Sequence, residues 1–178
     1  MIAYFQIQHC ILSQFLSFFQ GDSFIMEIER KFLISKLPEN LSDYPFHQIE
    51  QGYLTTNPVV RIRRQDDDYI LTYKGGGMMA REEYNLPLTK EAYEQLRPKI
   101  EGVLIAKRRY CIPLEPYTIE LDVFEEDLAG MILAEVEFPN IDEAEAFCPP
   151  EWFVKDVTFS PEYHNSYLAM HGRKPVSK

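Results

Sequence analysis

The chain has 178 residues, 46% of them hydrophobic and 26% charged. That is the composition of a soluble globular protein with enough length for one sizeable core. A formal net charge of −10 offers no overall positive field for a polyanion, so a general nucleic-acid binder is excluded. Three cysteines, Cys10, Cys111 and Cys148, are odd in number and without paired spacing. They read as small buried hydrophobes rather than a disulfide framework or a zinc site, and a reducing, cytoplasmic setting is expected.

The first 25 residues stand apart. Met1 to Phe24 is rich in Ile, Leu, Phe and Gln and contains no Lys or Arg, so it lacks the basic start of a secretory signal. Gln6, Gln8, His9, Gln14 and Gln20 interrupt the run of roughly 18 apolar residues that a membrane span needs. Two readings stand: an extension upstream of a natural start at Met26, or an amphipathic helix used for dimerisation or membrane contact. The first is the simpler, and no stable membrane association is expected. Residues 26–178 read as one domain.

From Met26 onward the pattern is alternation. In Met26–Ile34, Glu27, Glu29 and Lys31 share one face of a strand, because residues two apart point the same way. Two carboxylates at that spacing suit a hard divalent cation, and a lysine beside them suits a phosphate oxygen. The same device recurs downstream: Arg61 with Arg63, Thr72 with Lys74, and Arg81, Glu83 and Asn85 together. Lys107 with Arg109, Glu120 with Asp122, and Glu135 with Glu137 complete the series. In most of these segments the opposite face is apolar. A single charged triplet would read as a solvated face; seven segments point to a site. Eleven of the 18 lysines and arginines fall between Arg61 and Arg109, a local cationic site in an acidic chain.

Strands are predicted near 25–34, 48–56, 59–65, 68–75, 80–88, 104–112, 116–124 and 131–138. Asp66-Asp67-Asp68 suits a hairpin tip, Gly75-Gly76-Gly77 permits left-handed backbone, and Pro113 and Pro116 are expected to break pairing. A helix is predicted from Thr89 as N-cap through Leu96. A second starts at Asp142 with Glu145 as capping-box partner, and a third covers about 161–171. Many antiparallel strands with few helices imply a sandwich or a barrel. If the sheet closes, acidic and basic pairs share one interior. Buried unpaired charge is costly, so such a tunnel must hold water, metal and an anionic ligand.

Glu-Ile-Glu-Arg-Lys at 27–31 resembles the ExExK signature of the CYTH superfamily, the triphosphate tunnel metalloenzymes. The resemblance continues through Gln51-Gly-Tyr-Leu54, Arg61-Ile-Arg63, Leu71-Thr-Tyr-Lys74, Arg81-Glu-Glu-Tyr84, Lys107-Arg-Arg-Tyr110, Glu120-Leu-Asp-Val-Phe124 and Glu135-Val-Glu137. It ends at Asp156-Val-Thr158 and Tyr163-His-Asn165. It looks closest to the short microbial members, several of which act as inorganic triphosphatases.

The resemblance implies a mainly β fold: a closed eight-stranded antiparallel barrel forming a charged tunnel, with a few flanking helices. It implies Mg²⁺ or Mn²⁺ held by Glu27, Glu29, Glu120, Asp122, Glu135 and Glu137. Lys31, Arg61, Arg63, Lys74, Arg81, Lys107 and Arg109 would cradle the phosphates of a small-molecule triphosphate. Glu27, Glu29, Lys31 and Glu83 are the candidate catalytic residues, Glu83 as a water-orienting or arginine-positioning group. His164 stands where lysine is more usual in the C-terminal motif and reads as structural. The expected protein is a monomer or homodimer that hydrolyses inorganic triphosphate to diphosphate and phosphate. Within the family the alternatives are a thiamine triphosphatase and a class IV adenylyl cyclase; outside enzymology, a non-catalytic polyphosphate-binding module.

Overall fold

The computed structural model describes residues 25–172, apart from the side chains of Ile25 and Arg81. The extension read from the sequence falls, but for Ile25, outside the described residues. Nine strands follow in chain order: β1 (Ile25–Ile34), β2 (Phe46–Thr56), β3 (Val59–Gln65), β4 (Asp68–Lys74) and β5 (Ala80–Pro87), then β6 (Glu101–Leu114), β7 (Tyr117–Phe124), β8 (Ile132–Glu137) and β9 (Phe153–Asp156). Three short helices accompany them: α1 (Lys90–Leu96), α2 (Ile141–Ala146) and α3 (Asn165–His171).

The strand order is β5-β4-β3-β2-β6-β7-β8-β1, every described neighbour pair is antiparallel, and β1 returns to β5. The closing ladder runs from Ile25 opposite Glu83 to Ile28 opposite Ala80. This is the closed eight-stranded barrel that the resemblance implies. A ninth strand, not predicted, takes over the same edge of β1 further along, with Phe32 opposite Asp156 and Leu33 opposite Lys155. At four residues β9 is too short for periodicity to mark it.

The charged faces turn inward, and the outer wall is sealed over one half. Ile28 and Phe32 of β1, Leu121 of β7 and Ala134 and Val136 of β8 pack beneath Ala144 of α2, Phe147 and Phe153. A second cluster plugs one end of the barrel, where Tyr53, Ile105, Phe124 and Leu133 meet Leu168 and Ala169 of α3. Gly102 makes that closure feasible. Its φ is +69°, and a Cβ there would come within 2.1 Å of the Ala169 carbonyl oxygen, so any other residue would push α3 away.

Local chemistry explains most element ends. Thr89 caps α1, its hydroxyl accepting from the Ala92 amide at 3.2 Å. The cap of α2 is Asn140 rather than Asp142: its side-chain oxygen accepts from the Glu143 amide at 2.8 Å, while its amide donates to the Glu143 carboxylate at 2.9 Å. The predicted third helix divides into a 3-10 turn at Pro161–Tyr163 and α3. Asp66 forms the β3–β4 tip with φ +53°. Pro113 does not break pairing: it lies within β6 opposite Thr118, beyond Tyr110, where pairing to β2 has ended, so its missing N–H faces no β2 partner.

A charged tunnel through the barrel

The strand registers bring the alternating charged residues to one lumen. Glu29 of β1 lies opposite Glu137 of β8, and Lys31 opposite Glu135. Glu135 in turn lies opposite Glu120 of β7, and Asp122 opposite Arg109 of β6. On the other side Arg61 faces Thr72 and Lys74 faces Glu83. A cavity of about 360 Å³ runs through this lumen. Glu27, Glu29, Lys31, Arg61, Arg63, Lys74, Glu83, Lys107, Arg109, Glu135 and Glu137 all line it. Ile70, Pro87 and Phe138 belong to one end, and Val59 with His164–Ser166 to the end plugged by α3.

The cations already hold the carboxylates. Lys31 Nζ lies 3.0 Å from Glu29 and also pairs with Glu135. Lys74 Nζ is 2.6 Å from Glu27 and 2.6 Å from Glu83. Arg109 grips Asp122 bidentately, Nε and Nη2 each at 2.7 Å, and reaches Glu120 and Glu135 as well. Lys107 also donates to Asp122. Glu120 and Asp122 are buried on the inner face through these contacts. Arg81 sits opposite Glu27 in the closing ladder, but its side chain lies outside the described residues.

These contacts set the proton affinities. Burial disfavours the Lys31 ammonium, yet Glu135 and Glu29 outweigh it and hold its pKa above the ordinary lysine range. Burial also opposes the Glu135 carboxylate, and Lys31 and Arg109 overcome it, so Glu135 is held well below the usual range. Glu83 is lowered in the same way by Lys74 and Arg61 against burial. Lys107, buried and beside Arg109, is lowered to about 8 despite Asp122. Arg63 is lowered to about 10 by burial, then by Arg61 and Arg109, and its Nε is buried with no hydrogen-bond partner. Glu137 goes the other way. It reaches lumen solvent, but the enclosing walls and then Glu120, Glu27 and Glu29 hold its carboxyl well above the usual range.

The tunnel therefore holds groups that call for positive charge, Glu137 above all, and groups that call for an anion, Arg63 above all. Among the described residues no three carboxylates or histidines are gathered into a ready-made metal cage. The acidic side chains face one lumen but are spread along cationic partners. An oxygen-donor set of this charge suits a hard divalent cation, and the crowding at Glu137 is what such a cation would relieve.

Three lining groups carry no role in the sequence reading, although Asn85 shares its face with Arg81 and Glu83 there. Gln51 and Tyr53 of β2 point into the lumen, with Gln51 Nε2 donating to Tyr53 Oη at 3.2 Å. Asn85 lines it too, donating to Glu83 at 2.6 Å. The signal for all three is the same two-residue alternation, carried by neutral side chains. His164, read as structural, has a contact of that kind: a ring nitrogen lies 3.0 Å from the Thr158 carbonyl oxygen. It also lines the cavity.

A family model described as the CYTH domain matches residues 26–166. A protein of Nitrosomonas europaea named inorganic triphosphatase is 40% identical over 149 residues, covering 81% of this chain and 97% of its own. A second inorganic triphosphatase, from Acetivibrio thermocellus, is 35% identical over 154 residues, covering 83% of this chain and 96% of its own. The crystal structure of the inorganic triphosphatase NE1496 superposes with a TM-score of 0.64 at 36% identity, covering 84% of this chain and 98% of that one.

Proposed function

The chain belongs to the CYTH domain family, and we propose that its tunnel hydrolyses inorganic triphosphate to diphosphate and phosphate with the help of Mg²⁺ or Mn²⁺. The observation that carries this reading is the lumen itself. Buried cations and carboxylates alternate around one cavity, and Arg63 carries a buried donor with nothing to donate to. An extended polyanion with bound cations satisfies both kinds of group at once; a neutral ligand satisfies neither.

In this reading Lys31, Arg61, Arg63, Lys74, Arg81, Lys107 and Arg109 hold the phosphate oxygens, the guanidinium groups by paired donors and the ammonium groups as point charges. Glu27, Glu29, Glu120, Asp122, Glu135 and Glu137 would hold the cation. A bound divalent cation supplies neutralisation of the phosphate charge and polarisation of the phosphoryl oxygen. Water attacks the terminal phosphorus and gives its proton to a phosphate oxygen or to solvent, the bridging P–O bond breaks, and diphosphate leaves with the electron pair. Phosphoryl transfer mainly requires positioning and charge stabilisation, and the lysines and arginines provide both. Glu83 and Glu135 are too acidic to take a proton readily, which favours Glu83 as the residue that positions Lys74. Lys31, between Glu29 and Glu135, would couple the cation-holding carboxylates to the transferred group.

The test is phosphate release from triphosphate, ATP, thiamine triphosphate and longer polyphosphate, with and without EDTA. Selective, EDTA-sensitive release from triphosphate is expected. Full activity in thoroughly chelated protein would remove the metal from the reading, and preference for ATP or thiamine triphosphate would change the substrate. No helix among the described residues is long and apolar enough to cross a membrane.

A further inference from the structure

Two successive inward rungs of the β4–β5 ladder are tied to each other by their side chains. Thr72 lies opposite Asn85 and Lys74 opposite Glu83, and residues two apart on a strand share a face. The Thr72 hydroxyl donates to Asn85 Oδ1 at 2.6 Å. Asn85 Nδ2 donates to Glu83 Oε1 at 2.6 Å. The other Glu83 oxygen, Oε2, lies 2.6 Å from Lys74 Nζ. Thr72 is buried, whereas Asn85 is exposed and lines the lumen.

Chemistry allows this chain of contacts only one direction. Burial opposes the Glu83 carboxylate, and Lys74 and then Arg61 outweigh it, so Glu83 only accepts. Asn85 must therefore turn its NH₂ toward Glu83. That leaves its carbonyl oxygen for Thr72, whose hydroxyl has to donate. The last link is of another kind. Oε2 accepts no hydrogen bond, so Lys74 is held there by charge, and the place of the carboxylate fixes the place of the ammonium.

Lys74 needs that anchor because a second carboxylate claims it. Its Nζ is also 2.6 Å from Glu27, which the proposed function assigns to the cation. A carboxylate engaged with a cation cannot also aim Lys74 at a phosphate, and the task falls to Glu83. We propose that Asn85, backed by Thr72, is a positioning residue of the reaction: it fixes Glu83 and, through it, the ammonium of Lys74. This role rests on the triphosphatase reading of the tunnel. The charge of Lys74 survives the loss of Asn85, so attraction of the substrate persists while alignment in the transition state is lost.

Kinetics and calorimetry on Asn85→Leu, Thr72→Val and Thr72→Ser test it, with triphosphate as substrate and, with Ca²⁺ in place of Mg²⁺, as ligand. Misalignment should lower kcat at least about tenfold in Asn85→Leu, with Kd for triphosphate within about threefold of wild type. Thr72→Val is expected to lower kcat by less, and Thr72→Ser, which keeps the donor, to restore it. Independently of turnover, the Asn85 side-chain amide protons should shift further in NMR spectra of Thr72→Val than of Thr72→Ser. Equal shifts would overturn the relay. So would an unchanged kcat in Asn85→Leu: with a weakened Kd it would make Asn85 a direct phosphate contact, and with a lowered Tm a structural one. Should Thr72→Val fail to fold, the split between kcat and Kd in Asn85→Leu, at an exposed position, decides. A wild type that hydrolyses no triphosphate compound would instead overturn the reading of the tunnel, and this role with it.

Discussion

Lys31 Nζ lies 3.0 Å from the carboxylate of Glu29, two residues away on the same strand, and pairs at the same time with Glu135 of the neighbouring strand. One ammonium thus neutralises two buried carboxylates. Lys31→Met should remove this shared contact from both, Glu135 keeping Arg109. Breaking a buried pair by removing one member costs about 3–5 kcal/mol, and a fall in the urea midpoint would report it. Activity should drop at the same time, and saturating divalent cation should recover part of the stability without recovering turnover. Wild-type stability in the variant would show that Glu29 and Glu135 do not depend on Lys31.

A bound triphosphate should stabilise the fold whether or not it turns over. Burial, and then Arg61 and Arg109 beside it, lower the Arg63 pKa to about 10, a cost that a bound anion would offset. A ligand that binds only the folded state adds RT ln(1 + [L]/Kd), about 2.7 kcal/mol at one hundred times Kd. Thermal unfolding with triphosphate and Ca²⁺ in place of Mg²⁺, binding confirmed by calorimetry, measures it. No rise in Tm at saturation would contradict binding inside the barrel.

The barrel was legible because a strand writes its two faces into every second residue. Glu27, Glu29 and Lys31 read as one face from the sequence, and the register brings Glu137 and Glu135 opposite Glu29 and Lys31. What alternation does not encode is partner choice. That Arg109 would take Asp122 bidentately and still reach Glu120 and Glu135 depends on which strands become neighbours across β6, β7 and β8. Neutral lining groups such as Gln51 and Tyr53 were likewise hidden, since a tyrosine on a strand reads as core. Asn140 is obscured as a cap because Asp142 and Glu145 imitate the capping spacing two residues later.

Arg30 and Asp156 offer a test of the fold away from the tunnel. Arg30 Nη2 donates to Asp156 at 2.6 Å, tying β1 to β9, and the Thr158 amide donates to the other carboxylate oxygen at 2.8 Å. Burial would raise the Asp156 pKa, but the Thr158 donors and then Arg30 lower it. A carboxyl depressed in the folded state contributes stability above its unfolded pKa and loses it as pH falls through the folded value. Asp156→Asn should therefore cost about 1 kcal/mol at neutral pH, the low end because the carboxylate is partly exposed. The difference from wild type should close as pH falls below about 4. A deficit that persists unchanged into acid would mean that the charge of Asp156 is not what holds β9.

The two charge classes of the tunnel should separate in one pair of variants. Arg63 leaves its Nε buried without a hydrogen-bond partner, and burial, Arg61 and Arg109 weigh against its charge more than Glu83 and Glu120 favour it, so Arg63→Gln removes a charge that contributes little to the fold. Its stability should stay within about 1 kcal/mol of wild type, while loss of a charge-assisted contact worth about 1.5–3 kcal/mol should weaken triphosphate binding roughly 10- to 100-fold. Glu135 is the reverse case, engaged by both Lys31 and Arg109. Glu135→Gln keeps the shape but deletes the charge, so it should destabilise the barrel by about 3–5 kcal/mol. It should also raise the metal concentration needed for activity. Calorimetric titration with triphosphate, chemical unfolding and a metal-dependence curve on both variants provide the comparison. Should both substitutions prove neutral in all three measurements, the inward charges would be a solvated face and the tunnel would not be the site of the reaction.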